Sequence, residues 1–292
     1  MIATLVAHEG LGQGAIDAGR AALAQAGLDV GVPLWVEPGE AVDLPFAGDR
    51  ARARAALEAL DLPADIFVLE RANRACALFV ADMDSTMITV ECIDELADYV
   101  NMKPQVAAVT ERAMRGELDF AEALAARVAL LKGLDAPVID RCREERVRIM
   151  PGAIALVRTL KARGARTILV SGGFVPFARP VGQAIGFDEQ IANILHVEDG
   201  RLAGTVAQPI VDSARKRAEL LDATAALGVP AARTIAIGDG ANDIPMIEAA
   251  GLGVAYHAKP RTRDAADAAI ERGDLSVLLH ALGIPRAQWV TG

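Results

Sequence analysis

Apolar positions along this chain recur with two different rhythms. Ile2 to Ala7 is a short apolar run and predicts a strand; Ala15 to Gln25 has helical spacing and stops at Gly27; Asp29 to Val36 predicts a second strand. A turn at Pro38-Gly39 leads to a further strand over Ala41 to Leu44, then a helix over Arg52 to Leu60 and a strand over Asp65 to Glu70. The order β-α-β-β-α-β is the ferredoxin-like arrangement. Arg71-Ala72-Asn73-Arg74 is polar and reads as a junction, which sets a first domain at residues 1–73 and a second at 74–292.

From Ala77 the rhythm changes. Ala77 to Ala81 is continuously apolar, the mark of a buried strand. Helical spacing alone follows from Thr89 to Arg148, with helices predicted near Glu91–Val100, Pro104–Arg115, Phe120–Leu131 and Ala136–Arg148. Strands and helices then alternate. Helices are predicted over Ile154–Arg163, Phe174–Ile185, Ala214–Leu227, Asn242–Ala250, Arg261–Ala269 and Leu275–Leu282, with strands over Thr167–Val170, Thr234–Ile237 and Gly251–Tyr256. Ala192–Ile210, with Asp199-Gly200 between alternating segments, predicts a hairpin. Such alternation builds a parallel sheet with helices on both faces. The fold class is therefore α/β, a doubly wound parallel sheet with a helical cap (about 88–150) inserted after its first strand.

Composition narrows the function. At 292 residues, 52% hydrophobic and 24% charged, the chain has ample core material for two domains. An aromatic share of 4% argues against base-stacking platforms, and a net charge of −9 without a basic tract argues against nucleic-acid partners. Cys76, Cys92 and Cys142 form an odd set without metal-ligand spacing, which predicts reduced thiols in a cytoplasm. The N-terminus lacks a signal-peptide pattern, and no stretch has the ~18 uninterrupted apolar residues of a spanning helix. A soluble, cytoplasmic protein without a membrane partner is expected. An acidic chain that handles an anion needs a local positive device, a metal ion or a few placed Lys and Arg.

Candidate chemistry sits where three predicted strands stop: at Asp82-Met83-Asp84-Ser85-Thr86, at Ser171-Gly172-Gly173, and at Gly238-Asp239-Gly240-Ala241-Asn242-Asp243. In one parallel sheet these ends converge on the carboxyl edge, where open α/β sheets hold ligands. Two close carboxylates repel unless a cation lies between them or one keeps its proton. Carboxylate oxygens of this kind suit Mg²⁺, and Ser-Gly-Gly before a helix presents backbone donors to an anion. Each signature alone is an ordinary turn; the three together, each after a buried strand, are far more specific.

Asp-x-Asp-Ser-Thr, Ser-Gly-Gly-Phe, a helix-borne lysine and Gly-Asp-Gly-Ala-Asn-Asp resemble the four motifs of the haloacid-dehalogenase-like phosphatases and, more narrowly, those of the phosphoserine phosphatases. The resemblance runs from about Ala77 to the C-terminus. It implies hydrolysis of O-phospho-L-serine, the last step of L-serine biosynthesis, through an aspartyl-phosphate on Asp82, with Asp84 as acid and then base. It assigns Mg²⁺ to Asp82, the backbone carbonyl of Asp84 and Asp239, with Asp243 orienting the metal site. Ser171, Gly172, Lys216 and Asn242 are implied to hold the phosphoryl group; Arg215 and Arg217 flank Lys216, so chemistry alone leaves that choice open. The resemblance also gives Glu91 to the substrate amine, Arg127 to its carboxylate, and Met114 and Phe120 to an apolar lid, with hinge motion near Ile88 and Met150-Pro151-Gly152. Met83 stands where the family pattern leads one to expect Phe. The first domain resembles an ACT-like regulatory unit, expected to pair subunits into a homodimer, with a ligand loop at Glu9–Gly14 as the lesser alternative. Other readings of the same residues are hydrolysis of another small phosphate monoester, phosphoryl transfer to an alcohol, and an inert amino-acid sensor.

Overall fold

A computed structural model describes residues 1–7, 10–114 and 117–292, apart from the side chains of Ala72 and Met114. The chain opens with β1 (Ile2–Val6), α1 (Gln13–Gln25), β2 (Asp29–Val30), β3 (Leu34–Glu37), β4 (Ala41–Ala47), α2 (Arg50–Glu58) and β5 (Asp65–Leu69). The strands form an antiparallel sheet in the order β2-β4-β1-β5, with β3 also on β4. The single strand predicted over Asp29–Val36 is instead two short ones. Gly31 and Pro33 interrupt it, and Pro33 has no N–H to contribute to a ladder. One face packs on α1 and α2, with Leu5, Leu44 and Val68 against Leu23 and Leu57; the other, through Phe67 and Leu69, joins the main core. Both faces are thus covered.

The second sheet is parallel throughout, in the order β13-β12-β11-β6-β7-β8. Its strands are β6 (Leu78–Ala81), β7 (Arg166–Phe174), β8 (Glu189–Asn193), β11 (Thr234–Gly238), β12 (Leu252–Tyr256) and β13 (Ala268–Ile270). Alternate residues of β6 serve opposite faces. Phe79 and Ala81 pack toward α7 (Ala153–Ala162) and α8 (Val175–Ile185), whereas Leu78 and Val80 pack toward α9 (Ser213–Leu227) and α10 (Ile244–Ala249). The side-chain period of two in a strand therefore builds both layers. Between β6 and α7 lie four cap helices, α3 (Cys92–Tyr99), α4 (Lys103–Met114), α5 (Phe120–Ala129) and α6 (Val138–Arg146). The hairpin β9 (Leu195–Glu198) with β10 (Arg201–Val206) lies outside the sheet, and α11 (Pro260–Ala265) and α12 (Val277–Ala281) complete the chain.

Three boundaries differ from expectation. The helix predicted over Arg261–Ala269 ends at Ala265, and Ala268–Ile270 adds an edge strand on β12. Gln190 and Ile191, ahead of the predicted hairpin, belong to a sixth parallel strand on β7. The β7 strand runs on through Ser171-Gly172-Gly173 to Phe174, with its register shifting past Val170.

Candidate active site

The β6 pairing carries past its last residue: the Asp82 N–H donates to the Ile237 carbonyl at 3.0 Å. A tight turn follows, in which the Met83 carbonyl accepts from the N–H groups of Met87 (2.8 Å) and Ile88 (3.0 Å), and Ser85 takes a left-handed φ of 56°. That turn aims Thr86 across the sheet, where its hydroxyl donates to Asp239 Oδ1 at 3.0 Å. Asp239 leaves β11, and Asp243 folds back beneath it over Gly238. A Cβ on Gly238 would lie 2.4 Å from Asp243 Cγ, so only glycine admits that approach. The Gly240 N–H holds Asp243 Oδ2 at 3.0 Å.

Lys216 comes from the first turn of α9 and is fully buried. Its Nζ donates to Asp82 Oδ1 at 2.5 Å and to Asp243 Oδ1 at 2.7 Å. Of the three consecutive cations on this helix, only Lys216 turns inward; Arg215 pairs with Glu219, and both flanking arginines are exposed. Oxygens of Asp82, Asp239 and Asp243 lie within 4.8 Å of one another. Burial and the Asp243 carboxylate push Asp82 upward, with Lys216 opposing. Burial, then Asp243 and Glu91, push Asp239 up to about 7. Burial alone would lower Lys216, but Asp243 and Asp82 outweigh it and keep the ammonium charged. Asp82 and Asp243 both bond the Lys216 ammonium, and three clustered carboxyl groups outnumber that single cation, so this oxygen donor set fits a divalent cation. The Asp84 carboxyl stands apart from the set. Its Oδ1 accepts from the Cys92 N–H at 3.4 Å, and burial followed by the charge of Glu91 pushes it up to about 7.

Ser171, Gly172 and Gly173 lie at the end of β7 beside Asp84. The Ser171 hydroxyl accepts from the Gly173 N–H at 2.8 Å, and a Cβ on Gly173 would come 2.8 Å from Asp84 Oδ2. The Phe120 ring lies over Gly172, with Cζ 3.1 Å from where a Cβ would stand, so the cap closes onto this strand end. Glu91 precedes α3 and accepts from the Ser85 hydroxyl at 2.7 Å. Arg127, on α5, donates its Nε–H to the Ala123 carbonyl at 3.2 Å; burial lowers its pKa, and the charges of Asp94, Glu91 and Asp84 oppose that. Asn242 sits over Gly240 at the same rim. The Met114 side chain, and His8 and Glu9 ahead of the glycine loop, lie outside the described residues.

Two contributors have roles that the sequence does not assign. Thr86 reads as part of a turn until Asp239 is seen beside it. Asn193, buried at the end of β8, donates to the Gly172 carbonyl at 2.8 Å and accepts from the Val211 N–H at 2.8 Å. It thereby ties the β7 strand end to the segment that leads into Lys216. Nothing in the local pattern around Ile191–Leu195 marks it.

Comparison with known proteins agrees with this geometry. A family model described as haloacid dehalogenase-like hydrolase matches residues 79–248. A phosphoserine phosphatase of Streptomyces coelicolor is 46% identical over 256 residues, covering 86% of this chain; the chain spans only 62% of that relative's length. A phosphoserine phosphatase of Albidiferax ferrireducens is 48% identical over 208 residues, covering 70% of this chain and 88% of the relative. The crystal structure of a probable phosphoserine phosphatase from Vibrio cholerae superposes with a TM-score of 0.78 at 31% identity, over 98% of this chain and 87% of that one. With its three strand ends converging on a carboxylate-lined rim beneath a helical cap, the chain belongs to the haloacid dehalogenase-like hydrolases and, within them, to the phosphoserine phosphatase family.

Proposed function

We propose that this chain is a Mg²⁺-dependent phosphomonoesterase that hydrolyses O-phospho-L-serine to L-serine and phosphate. The observation that carries the reading is the buried Lys216 ammonium shared between Asp82 and Asp243, beside Asp239, with the Phe120 ring of the cap over Gly172. Phosphate monoesters resist hydrolysis so strongly that catalysis must supply roughly 20 kcal/mol or more. A covalent intermediate divides that barrier into two steps.

Asp82 attacks phosphorus and forms an aspartyl-phosphate while the serine oxygen leaves. Asp84, whose carboxyl is pushed up to about 7, gives its proton to that oxygen. The deprotonated Asp84 then takes a proton from the water that attacks the aspartyl-phosphate, which releases phosphate and restores both residues. Lys216, Ser171, Gly172 and Asn242 hold the phosphoryl oxygens. Asp82, the Asp84 backbone carbonyl and Asp239, with Asp243 behind them, would hold Mg²⁺, which would supply neutralisation of phosphate charge. Glu91 reads the substrate ammonium and Arg127 its carboxylate, for which a planar guanidinium is suited. Phe120, with Met114, excludes water, and the cap turns near Ile88 and Met150-Pro151-Gly152.

The same reading takes residues 1–73 as a ferredoxin-like, ACT-like unit, 74–292 as the catalytic unit, and about 88–150 as its cap. Val32, Leu34 and Trp35 are 75%, 50% and 46% exposed at the edge of the N-terminal sheet, which supports pairing of two subunits there. Three free, buried cysteines support a cytoplasmic setting, and no described helix is long and apolar enough to cross a membrane.

The test is phosphate release from a panel of phosphorylated metabolites, with Mg²⁺ and with a chelator, in the wild type and in Arg127→Ala. The expected result is Mg²⁺-dependent preference for O-phosphoserine. In Arg127→Ala, kcat/KM for that substrate falls about 10- to 100-fold while an aryl phosphate is unaffected, because only the amino-acid carboxylate loses a partner. Undiminished turnover after chelation, or equal loss on both substrates, defeats the reading.

A further inference from the structure

One carboxylate of the N-terminal sheet is bonded into the end of the parallel sheet. Asp65, the first residue of β5, is only 4% exposed. Its Oδ1 accepts from the N–H groups of Glu271 (2.8 Å) and Arg272 (3.1 Å), and its Oδ2 from that of Gly273 (2.9 Å). Three successive backbone donors form an anion-binding nest, here filled by the protein's own side chain. Hydrogen bonds to a charged acceptor are roughly twice as strong as neutral ones. Gly273 is tightly enclosed: a Cβ there would come 2.2 Å from Val277 Cγ2 and 3.3 Å from Asp65 Oδ2.

The other side of the same loop bears on the cap stem. Asp274 Oδ1 accepts from the Ser276 N–H at 2.8 Å and hydroxyl at 2.5 Å, and the Leu275 N–H donates to the Pro151 carbonyl at 3.3 Å. Gly152, at φ 80°, packs so closely that a Cβ would lie 2.4 Å from the Ser276 nitrogen and 2.7 Å from Asp274 Oδ1. Pro151 and Gly152 directly follow the return crossing from the cap. There the Met150 N–H donates to the Met87 carbonyl at 2.9 Å, the Thr89 N–H to the Arg148 carbonyl at 3.0 Å, and Ile88 bridges Ile149. A continuous path of hydrogen bonds and close backbone contact therefore runs from Asp65 through residues 271–276 to the two bridged segments on which the cap stands.

We propose that Asp65 is a positioning residue for the cap: by holding the 271–276 loop against Pro151-Gly152 it fixes the stem that carries Glu91 and Arg127 over the Asp82 rim, and so couples the N-terminal sheet to substrate capture. The part about capture rests on the phosphoserine reading above. A carboxylate that merely stabilised the fold would lower the melting temperature without altering the stem or the preference among substrates.

Full-length Asp65→Asn, which keeps the shape and removes the charge, is compared with wild type and with Asp43→Asn. Asp43 is a second buried carboxylate of the same sheet, and it holds Arg74 rather than the loop. Hydrogen–deuterium exchange is followed at 87–89, 148–152 and 271–276. KM and kcat are measured with O-phosphoserine and p-nitrophenyl phosphate. In Asp65→Asn, exchange at all three segments is expected to rise about tenfold, as for loss of a local restraint. KM for O-phosphoserine rises about five- to tenfold with kcat within about twofold, the aryl phosphate being unaffected. In Asp43→Asn the melting temperature falls and none of these changes appears. Wild-type exchange at 148–152 in Asp65→Asn overturns the proposal, as does the same KM change for both substrates or in both variants. If Asp65→Asn does not fold, Asp274→Asn loosens the loop from its inner side and is read in the same way. If the wild type does not hydrolyse O-phosphoserine, the substrate reading fails, and exchange at the stem still decides whether Asp65 holds it.

Discussion

Both sheets bury carboxylates, and the way each is compensated separates framework from site. In the N-terminal sheet every such group has its own full set of partners. Asp65 has three backbone donors, and Asp43 has two guanidinium bonds from Arg74 (2.6 and 2.5 Å) and the Thr4 hydroxyl at 2.9 Å. At the rim of the parallel sheet, Asp82 and Asp243 share one ammonium while Asp239 beside them accepts from the Thr86 hydroxyl, and burial pushes Asp82 and Asp239 upward. A satisfied buried charge stabilises one conformation. An under-compensated cluster stores an affinity for a cation and for what that cation holds.

The comparison breaks most visibly at Asp82. Asp82→Asn keeps the hydrogen-bonding shape but removes the nucleophile, so turnover should fall by roughly 10⁴-fold or more. The melting temperature should hold or rise, because one of the crowded carboxylates is gone. Single-turnover phosphate release with thermal denaturation in parallel checks both parts; residual activity near wild type would remove the nucleophile assignment.

Asp43→Ala should behave in the opposite sense. Arg74 would be left largely buried without its anion, at a cost of about 3–5 kcal/mol, while kcat in the surviving folded protein stays unchanged. Denaturant titration measures the first and steady-state kinetics the second. A stability loss as small as that of an exposed pair, below about 1 kcal/mol, would mean that the N-terminal carboxylates are not framework groups.

A smaller effect sharpens the contrast at low pH. His280 is buried against Trp289, and burial lowers its pKa below the usual 6.5, with Glu37 and Glu40 opposing. The native state therefore binds fewer protons than the unfolded state. Its contribution is complete above about pH 6.5 and is lost as pH falls from there through the lowered native value, at up to about 1.4 kcal/mol per pH unit. Stability measured from pH 7.5 to 5 should decline less steeply in His280→Gln than in wild type. Parallel profiles would show that His280 does not titrate with unfolding.

Legibility in the sequence follows the range of the interactions. The apolar run Leu78–Ala81 stops on Asp82, and Thr234–Gly238 stops on Asp239, so the local pattern alone places both carboxylates at strand ends. The cap helices are equally readable because their spacing is uninterrupted. The Asp29–Val36 region is less so, since Gly31 and Pro33 divide an apolar stretch whose two halves pair with different parts of β4. Ala268–Ile270 has no pattern of its own that separates it from the helix before it; pairing with β12 makes it a strand.

The sequence by itself determined the alternation of strands and helices, the three polar strand ends, and an acidic chain in need of a local cation, because each arises from the period or composition of neighbouring residues. Tertiary structure decided what local chemistry left open: that Lys216, the lysine the family resemblance singles out, reaches Asp82 across 134 positions while Arg215 and Arg217 stay outside, that Asn193 holds the Gly172 carbonyl, and that Asp65 grips a loop more than 200 residues away. Those choices depend on which atoms share a buried volume once two sheets and a cap have packed, and no local period encodes that.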